Sequence, residues 1–143
     1  MTFTKLINNS VIFSIDNAWD VHILAKFMRH IDTKRVMGEM QKEMLVCSGM
    51  WNGQQELSFY MDYNDFFTHV ANSGYVDEQE CFMIVNPVKP NQPHRKQAAL
   101  LYRCGNQELL GSFTEVSRKE AEANNSYTYF YKHDLYFIAG EEE

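Results

Sequence analysis

Alternating apolar and polar positions in the middle of the chain predict a β-hairpin centred on Asn52-Gly53. Both central residues of a type I′ turn need positive φ, and Asn-Gly adopts this conformation readily. This turn sets the register of the two strands, because opposed residues point to the same face. The register pairs Trp51 with Gln54, Gly49 with Glu56 and Cys47 with Ser58.

The two faces of this hairpin differ in polarity. One face carries Trp51, Gln54, Glu56 and Ser58 around the gap left by Gly49. The other carries Val46, Ser48, Met50, Leu57 and Phe59, and we expect it to face the core. A carboxylate beside an aromatic ring, with space left by a glycine, suits a small cationic ligand. An exposed strand glutamate is the more ordinary interpretation of Glu56 taken alone.

The remaining pattern predicts further strands at residues 11–15, 80–85, 98–103, 109–116, 127–131 and 135–139. Four helices are expected, with N-caps at Asp16 or Asn17, at Asp32 or Thr33, at Asn64 and at Ser117. Hairpin-linked strands with few helices are typical of an α+β fold. No repeat or linker interrupts the pattern, so residues 1–143 are predicted to form a single domain.

Composition excludes several classes of protein. Hydrophobic residues make up 45% of the 143 residues, which indicates a globular chain. No apolar run reaches the roughly 20 residues that span a membrane, and the first residues lack a signal-peptide pattern. The three cysteines are expected to be reduced thiols in a cytoplasm. A net charge of −6 disfavours nucleic acid as a partner.

Motifs for covalent or metal-dependent chemistry are missing from the sequence. The five histidines lack metal-ligand spacing, and there is no phosphate loop or nucleophile elbow. We therefore expect neither a cofactor nor a metal. The cluster His94-Arg95-Lys96 suits either a phosphate or carboxylate site or, more ordinarily, a solvated loop tip. Gln79-Glu80, which opens a predicted strand, is by itself an ordinary polar loop.

Several separated stretches share a pattern with one known group of enzymes. They are Met1-Thr2-Phe3-Thr4-Lys5, Gly49-Met50-Trp51, Glu56 ahead of Ser58-Phe59, Gln79-Glu80-Cys81 with the apolar strand after it, and Leu110-Gly111-Ser112-Phe113-Thr114-Glu115-Val116. Together they resemble the small bacteriophage S-adenosylmethionine lyases, formerly called SAM hydrolases. The Gly-Ser-Phe-x-Glu-Val part is the most specific. Trp51 stands where the family has a tyrosine, so a hydroxyl contact is lost and ring area is gained.

The resemblance implies a fold and an activity. The fold would be ferredoxin-like and PII-like, an antiparallel sheet with helices on one face, assembled as a homotrimer with sites between subunits. The activity would be cleavage of S-adenosylmethionine to 5′-methylthioadenosine and homoserine lactone in the host cytoplasm. Such cleavage depletes the methyl donor of host restriction-modification, and one family member also binds host methionine adenosyltransferase.

The resemblance also implies roles for individual residues. Glu56 would be catalytic, and Trp51, Ser58, Gln79 and Glu80 would bind the substrate. The substrate carboxylate would attack its own Cγ, so the enzyme would need no nucleophile of its own. Two alternatives remain open from the sequence. One is a non-catalytic inhibitor that binds a host enzyme, and the other is a PII-like module that binds an adenosine compound.

Overall fold

A computed structural model describes residues 9–51, 53–88, 91 and 95–140, except for the side chain of Trp51. Eight strands and three helices form from this part of the chain. The strands are β1 (Ser10–Phe13), β2 (Leu45–Trp51), β3 (Gln54–Asp62), β4 (Cys81–Pro87), β5 (Lys96–Tyr102), β6 (Gln107–Val116), β7 (Tyr127–Phe130) and β8 (Leu135–Gly140). The helices are α1 (Val21–Val36), α2 (Tyr63–His69) and α3 (Arg118–Asn124). No helix in these ranges is long and apolar enough to cross a membrane.

The eight strands close into an antiparallel barrel in the order β1-β3-β2-β7-β8-β6-β5-β4. The ring closes because β1 pairs with β3 on one side and with β4 on the other. The expected ferredoxin-like, PII-like sheet with helices on one face is therefore wrong. Local hairpins were predicted correctly, but closure depends on pairing between β1 and β4, which lie far apart in the sequence.

Two hydrophobic clusters lie on opposite sides of the barrel wall. The interior cluster is formed by Ile12, Leu45, Cys47, Tyr60, Val85, Ala98, Phe113, Phe130 and Phe137. The outer cluster joins the other face of β1 and β3 to the helices, with Phe27 and Ile31 of α1 and Phe66 of α2 packed against Phe13 and Phe59. The part of the β2–β3 hairpin away from its turn is therefore buried on both faces, whereas residues 54–56 near the turn are exposed. Its apolar face packs in the outer cluster through Val46, Leu57 and Phe59, as predicted.

One helix replaces the first two that were predicted. Asp20 caps α1 by accepting hydrogen bonds from the backbone N–H groups of His22 and Ile23. The expected second cap at Asp32 or Thr33 lies inside this helix. The Thr33 hydroxyl donates to the carbonyl of Arg29, one turn earlier, so it satisfies the helix instead of starting a new one.

The starts of α2, α3 and β5 can be compared with the sequence predictions. Asp62, and not Asn64, caps α2 by accepting from the N–H groups of Asn64 and Asp65. Ser117 caps α3 as predicted. Lys96 is not part of a solvated loop tip, because it begins β5 and only 5% of it is exposed. His94 lies outside the described residues.

Candidate functional site

A cavity of about 640 Å³ lies at one end of the barrel. This is the end at which β2 and β5 finish and β3 and β4 begin. Its polar lining residues include Ser14, Glu56, Ser58, Glu78, Gln79, Glu80, Tyr102 and Thr128. Pockets for small ligands commonly have volumes of roughly 300–1,000 Å³, so this cavity is large enough for a nucleoside-sized molecule.

The β2–β3 hairpin supplies one wall of the cavity. Gly49 pairs with Glu56, and Cys47 pairs with Ser58, as the sequence predicted. A Cβ placed on Gly49 would lie 3.4 Å from the Ser58 Oγ, so the missing side chain leaves space directly beside this hydroxyl. Glu56 is exposed and Ser58 is buried, which puts the carboxylate nearer solvent and the hydroxyl deeper in the cavity.

The Ser58 hydroxyl belongs to a short hydrogen-bond chain. Ser14 Oγ donates to the carbonyl of Leu57 at 3.0 Å and lies 3.1 Å from Ser58 Oγ. Because a serine hydroxyl has a single proton, Ser58 then donates to Ser14. The lone pairs of Ser58 are left to accept a hydrogen bond from a ligand N–H or O–H group.

The segment before β4 supplies a second wall. Gln79 and Glu80 both line the cavity, together with Glu78 and Cys81. Four of the five residues that the resemblance assigned to substrate, namely Glu56, Ser58, Gln79 and Glu80, thus meet around one space. The fifth, Trp51, pairs with Gln54 through its backbone, as predicted, and its side chain lies outside the described part of the structure.

The electrostatic field in the cavity is negative. Three carboxylates line it, those of Glu56, Glu78 and Glu80, and no basic side chain is present among the described lining residues. The thiol of Cys81 responds to this field. Burial raises its pKa, and the charges of Glu80, Glu108 and Glu56 raise it further. A cationic ligand is therefore favoured in this space over an anionic one.

Tyr102 adds a polar group that the sequence patterns did not single out. Its hydroxyl donates to Glu108 at 2.8 Å, and this hydrogen bond, followed by burial and the charge of Glu108, raises the pKa of Tyr102. The signal in the sequence was only alternation along β5, which places Tyr102 on the same face as Ala98 and Leu100. The identification of that face as the barrel interior required the closed sheet.

Apolar side chains complete the lining. They come from four strands: Ile12 from β1, Met83 from β4, Leu100 from β5, and Phe137 and Ala139 from β8. They give the cavity a polar side near its mouth and an apolar side toward the core. No group of three His, Cys, Asp or Glu residues placed to hold a metal ion occurs in the described ranges.

Comparison with known proteins agrees with this chemistry. The sequence model of the S-adenosylmethionine lyase family matches residues 20–140, a range that holds β2 to β8 and all three helices. No curated protein and no solved structure matches the chain. Because the family match covers well over half of the chain, the protein belongs to the S-adenosylmethionine lyase family.

Proposed function

We propose that the barrel cavity binds S-adenosylmethionine and cleaves it to 5′-methylthioadenosine and L-homoserine lactone. The observation that carries this proposal is the set of carboxylates around the cavity, with no basic side chain among its described lining residues. S-adenosylmethionine carries two positive groups, a sulfonium and an ammonium. A negative field attracts both groups, and family membership supports the same substrate.

The reaction needs no nucleophile from the protein. A carboxylate oxygen of the substrate attacks its own Cγ, the Cγ–S bond breaks, and the bonding electron pair moves to sulfur. The products are a neutral thioether and a lactone, and no proton is transferred in this step. The protein therefore has to bind the methionine chain in a folded conformation, with the carboxylate opposite the C–S bond.

Orientation is the main contribution that we assign to the enzyme. Because the reacting groups already belong to one molecule, the enzyme contributes by holding the substrate in the folded conformation in which the carboxylate oxygen and Cγ are near contact. The step also removes one positive and one negative charge from the substrate. The apolar side of the cavity, formed by residues such as Met83, Leu100 and Phe137, favours this less polar transition state over the charged ground state.

Glu56 is assigned to the substrate ammonium. The ammonium keeps its charge throughout the reaction, whereas the sulfonium loses its charge in the transition state. A carboxylate in direct contact with sulfur would stabilise the ground state more than the transition state and slow the reaction. The position of Glu56 near the mouth, beside the gap at Gly49, suits a bond to the terminal amino group.

The other predicted residues are assigned to the rest of the substrate. Ser58 has lone pairs available to accept from an N–H or O–H group of the ligand. Gln79 and Glu80, in the segment before β4, are assigned to the ribose hydroxyls or the amino group. Trp51 is assigned to packing against the adenine or the methionine chain, on the basis of the hairpin register.

The products distinguish this route from hydrolysis. Purified protein is incubated with S-adenosylmethionine in water labelled with heavy oxygen, and early products are separated by mass. Cyclisation gives unlabelled lactone first, and any later ring opening places the label in the carboxyl group. Direct hydrolysis would place the label in the hydroxyl group on Cγ. Labelled hydroxyl in the first product, or intact substrate throughout, would contradict the proposal.

The biological setting follows from the substrate. Loss of S-adenosylmethionine deprives host methyltransferases of their donor, so we propose an anti-restriction role for the protein in the host cytoplasm of an infected bacterium. We also propose a homotrimer and, as in the resemblance, contact with host methionine adenosyltransferase. Sedimentation tests the assembly, and the methylation level of DNA in cells that express the protein tests the role. Unchanged methylation during active cleavage would contradict it.

A further inference from the structure

The segment that carries Gln79 and Glu80 has no regular secondary structure. It runs from Val76 to the start of β4, and its internal bond is the Gln79 N–H donating to the Val76 carbonyl at 3.1 Å. The placement of these two residues therefore depends on contacts from other parts of the chain. Two charged side chains supply such contacts, Asp16 from the β1 side and Arg103 from the end of β5.

Asp16 bridges the segment with both of its carboxylate oxygens. Oδ1 accepts from the side-chain Nε2 of Gln79 at 2.9 Å, and Oδ2 accepts from the backbone N–H of Glu78 at 2.8 Å. The backbone N–H of Asp16 donates to the carbonyl of Tyr75 at 2.8 Å. Asp16 is thus itself fixed to the chain just before the segment that it binds.

The bond to Asp16 also sets the orientation of the Gln79 amide. An ionised carboxylate only accepts hydrogen bonds, so the NH₂ end of the amide must face Asp16. Gln79 lines the cavity and Asp16 does not. The other end of the amide, the carbonyl oxygen Oε1, is left for hydrogen-bond donors in the cavity.

Arg103 holds the backbone of the same segment. Its Nε donates to the carbonyl of Gln79 at 2.6 Å, and its Nη2 donates to the carbonyl of Val76. Its backbone N–H also donates to the carbonyl of Glu80 at 3.3 Å. The planar guanidinium fixes its donors in one fork, so it holds the two carbonyls at a set separation.

We propose that Asp16 is a positioning residue for the substrate site: it makes Gln79 present its carbonyl oxygen to donor groups of the substrate, on a segment whose backbone is bonded to Arg103. The inference rests on the proposed role of Gln79 in binding S-adenosylmethionine. It adds a residue that neither lines the cavity nor carries the family resemblance. It also gives a reason for the amide at this position, because a carboxylate there would repel Asp16.

Exchange of the acceptor for a donor tests the orientation. In Asp16→Asn, the remaining oxygen accepts from the backbone N–H of Glu78, so the new NH₂ group faces the NH₂ group of Gln79. The Gln79 amide then turns over and presents its own NH₂ to the cavity. We expect kcat/KM to fall about ten-fold, with the temperature of unfolding near that of wild type. Asp134→Asn is the matched control, since Asp134 accepts from the Tyr129 hydroxyl outside the cavity. Its kcat/KM should stay at the wild-type value.

A second substitution, at Gln79, should restore part of the kcat/KM that Asp16→Asn loses. Gln79→Glu alone places two carboxylates at hydrogen-bond distance, and we expect a loss of at least the same size. In the double variant Asp16→Asn with Gln79→Glu, the asparagine donates to the new carboxylate, whose other oxygen again faces the cavity. The double variant should therefore exceed both single variants in kcat/KM. Losses that simply multiply would overturn the positioning role, because independent structural damage combines in that way.

Binding of S-adenosylhomocysteine separates this inference from the proposed reaction. This thioether has no sulfonium and cannot be cleaved, so its dissociation constant can be measured by calorimetry for all four proteins. If wild type fails to form methylthioadenosine, the proposed reaction fails, and the same pattern of loss and rescue in binding still decides the role of Asp16. If wild type forms product but rescue occurs in neither measurement, the positioning role alone is overturned.

Discussion

Gly49 lies so close to Ser58 that a Cβ on the glycine would come within 3.4 Å of the serine Oγ and 3.8 Å of the Glu56 carbonyl oxygen. Gly49→Ala should therefore fold normally but push a methyl group into the cavity wall. We expect KM to rise several-fold with little change in the free energy of unfolding. Gly53→Ala, at the hairpin turn where φ is +80°, is the contrasting variant. It should lower stability because that φ disfavours side chains.

Glu56→Gln should remove most of the lyase activity. The loss of a charge-assisted hydrogen bond to the substrate ammonium corresponds to about 1.5–3 kcal/mol, or roughly a 10- to 100-fold fall in kcat/KM. Steady-state kinetics with purified protein measure this change. Glu115→Gln is a control of the same chemistry, because Glu115 is exposed on β6 and does not line the cavity. Near-full turnover of Glu56→Gln would remove Glu56 from the mechanism.

The three cysteines should react with an aromatic disulfide reagent at very different rates. Cys104 is exposed, Cys81 is partly buried and Cys47 is fully buried. Burial raises the pKa of Cys47 and of Cys81, and the reactive form is the thiolate. We expect Cys104 to react first, Cys81 more slowly, and Cys47 only on unfolding, as followed by peptide mass spectrometry. Rapid reaction of Cys47 in the native protein would contradict the barrel interior described above.

Cys81 also reports the charge of the cavity. Because Glu56 contributes to the raised pKa of this thiol, Glu56→Gln should lower that pKa. The rate of Cys81 modification should then rise at a given pH below the pKa. The rate at Cys104 serves as the internal reference within the same sample. An unchanged ratio of the two rates would show that the Glu56 charge does not act at Cys81.

At neutral pH, the Lys96→Met variant should have a larger free energy of unfolding than the wild-type protein. The Nζ of Lys96 is buried and has no hydrogen-bond partner among the described residues. Burial, and then the charge of Lys42, lower its pKa below the ordinary 10.5. Burial of an unpartnered polar group costs about 1–3 kcal/mol, so the variant should gain an amount of that order in the free energy of unfolding.

The sign of the pH dependence follows from proton binding. Between the lowered pKa of folded Lys96 and the ordinary value of 10.5, the unfolded chain binds more protons than the folded one. The free energy of unfolding of the wild-type protein therefore rises with pH through this window. The difference in this free energy between Lys96→Met and wild type becomes smaller. Urea unfolding at several pH values measures both proteins, and Lys119→Met corrects for loss of an exposed charge. An advantage that grows with pH would contradict the argument.

Asp65 should be important for stability and not for catalysis. Its carboxylate is 2% exposed and accepts from the backbone N–H groups of Gln41 at 3.0 Å and Lys42 at 3.1 Å. Asp65→Ala leaves these donors without their acceptor and should cost about 2–4 kcal/mol of unfolding free energy. Asp32→Ala breaks an exposed pair with Arg35 and should cost less than about 1 kcal/mol. Equal losses of unfolding free energy for Asp65→Ala and Asp32→Ala, measured in urea, would contradict the structural role of Asp65.

Local chemistry explains which predictions from sequence were correct. The Asn-Gly turn and the alternation around it are contained within one hairpin, so its register and its apolar face were predictable. The capping hydroxyl of Ser117 is likewise next to the helix that it starts. Asn52 itself lies outside the described residues, so the turn type remains a prediction.

Long-range pairing explains what was missed. Asp16 was expected to cap a helix, but its carboxylate binds the amide of Gln79, 63 residues later in the chain. No local pattern indicates such a partner. Closure of the sheet through β1 and β4 is of the same kind, and it made Gly49, Glu56 and Ser58 of the polar hairpin face part of the lining of an open cavity. The family resemblance indicated Glu56, Ser58, Gln79 and Glu80, but it gave the wrong fold.

The unbroken ring of strand pairs limits how copies of this protein can associate. Each described strand has a neighbour on both sides over part of its length, and the one-sided stretches are short ones such as 54–58 of β3 and 107–111 of β6, so little backbone is left to bond with a strand of another molecule. We therefore expect self-assembly to rely mainly on side chains of the outer wall. The phenol rings of Tyr129 and Tyr136, with centroids 4.5 Å apart and planes tilted by 35°, provide such a surface on the outside of the last hairpin.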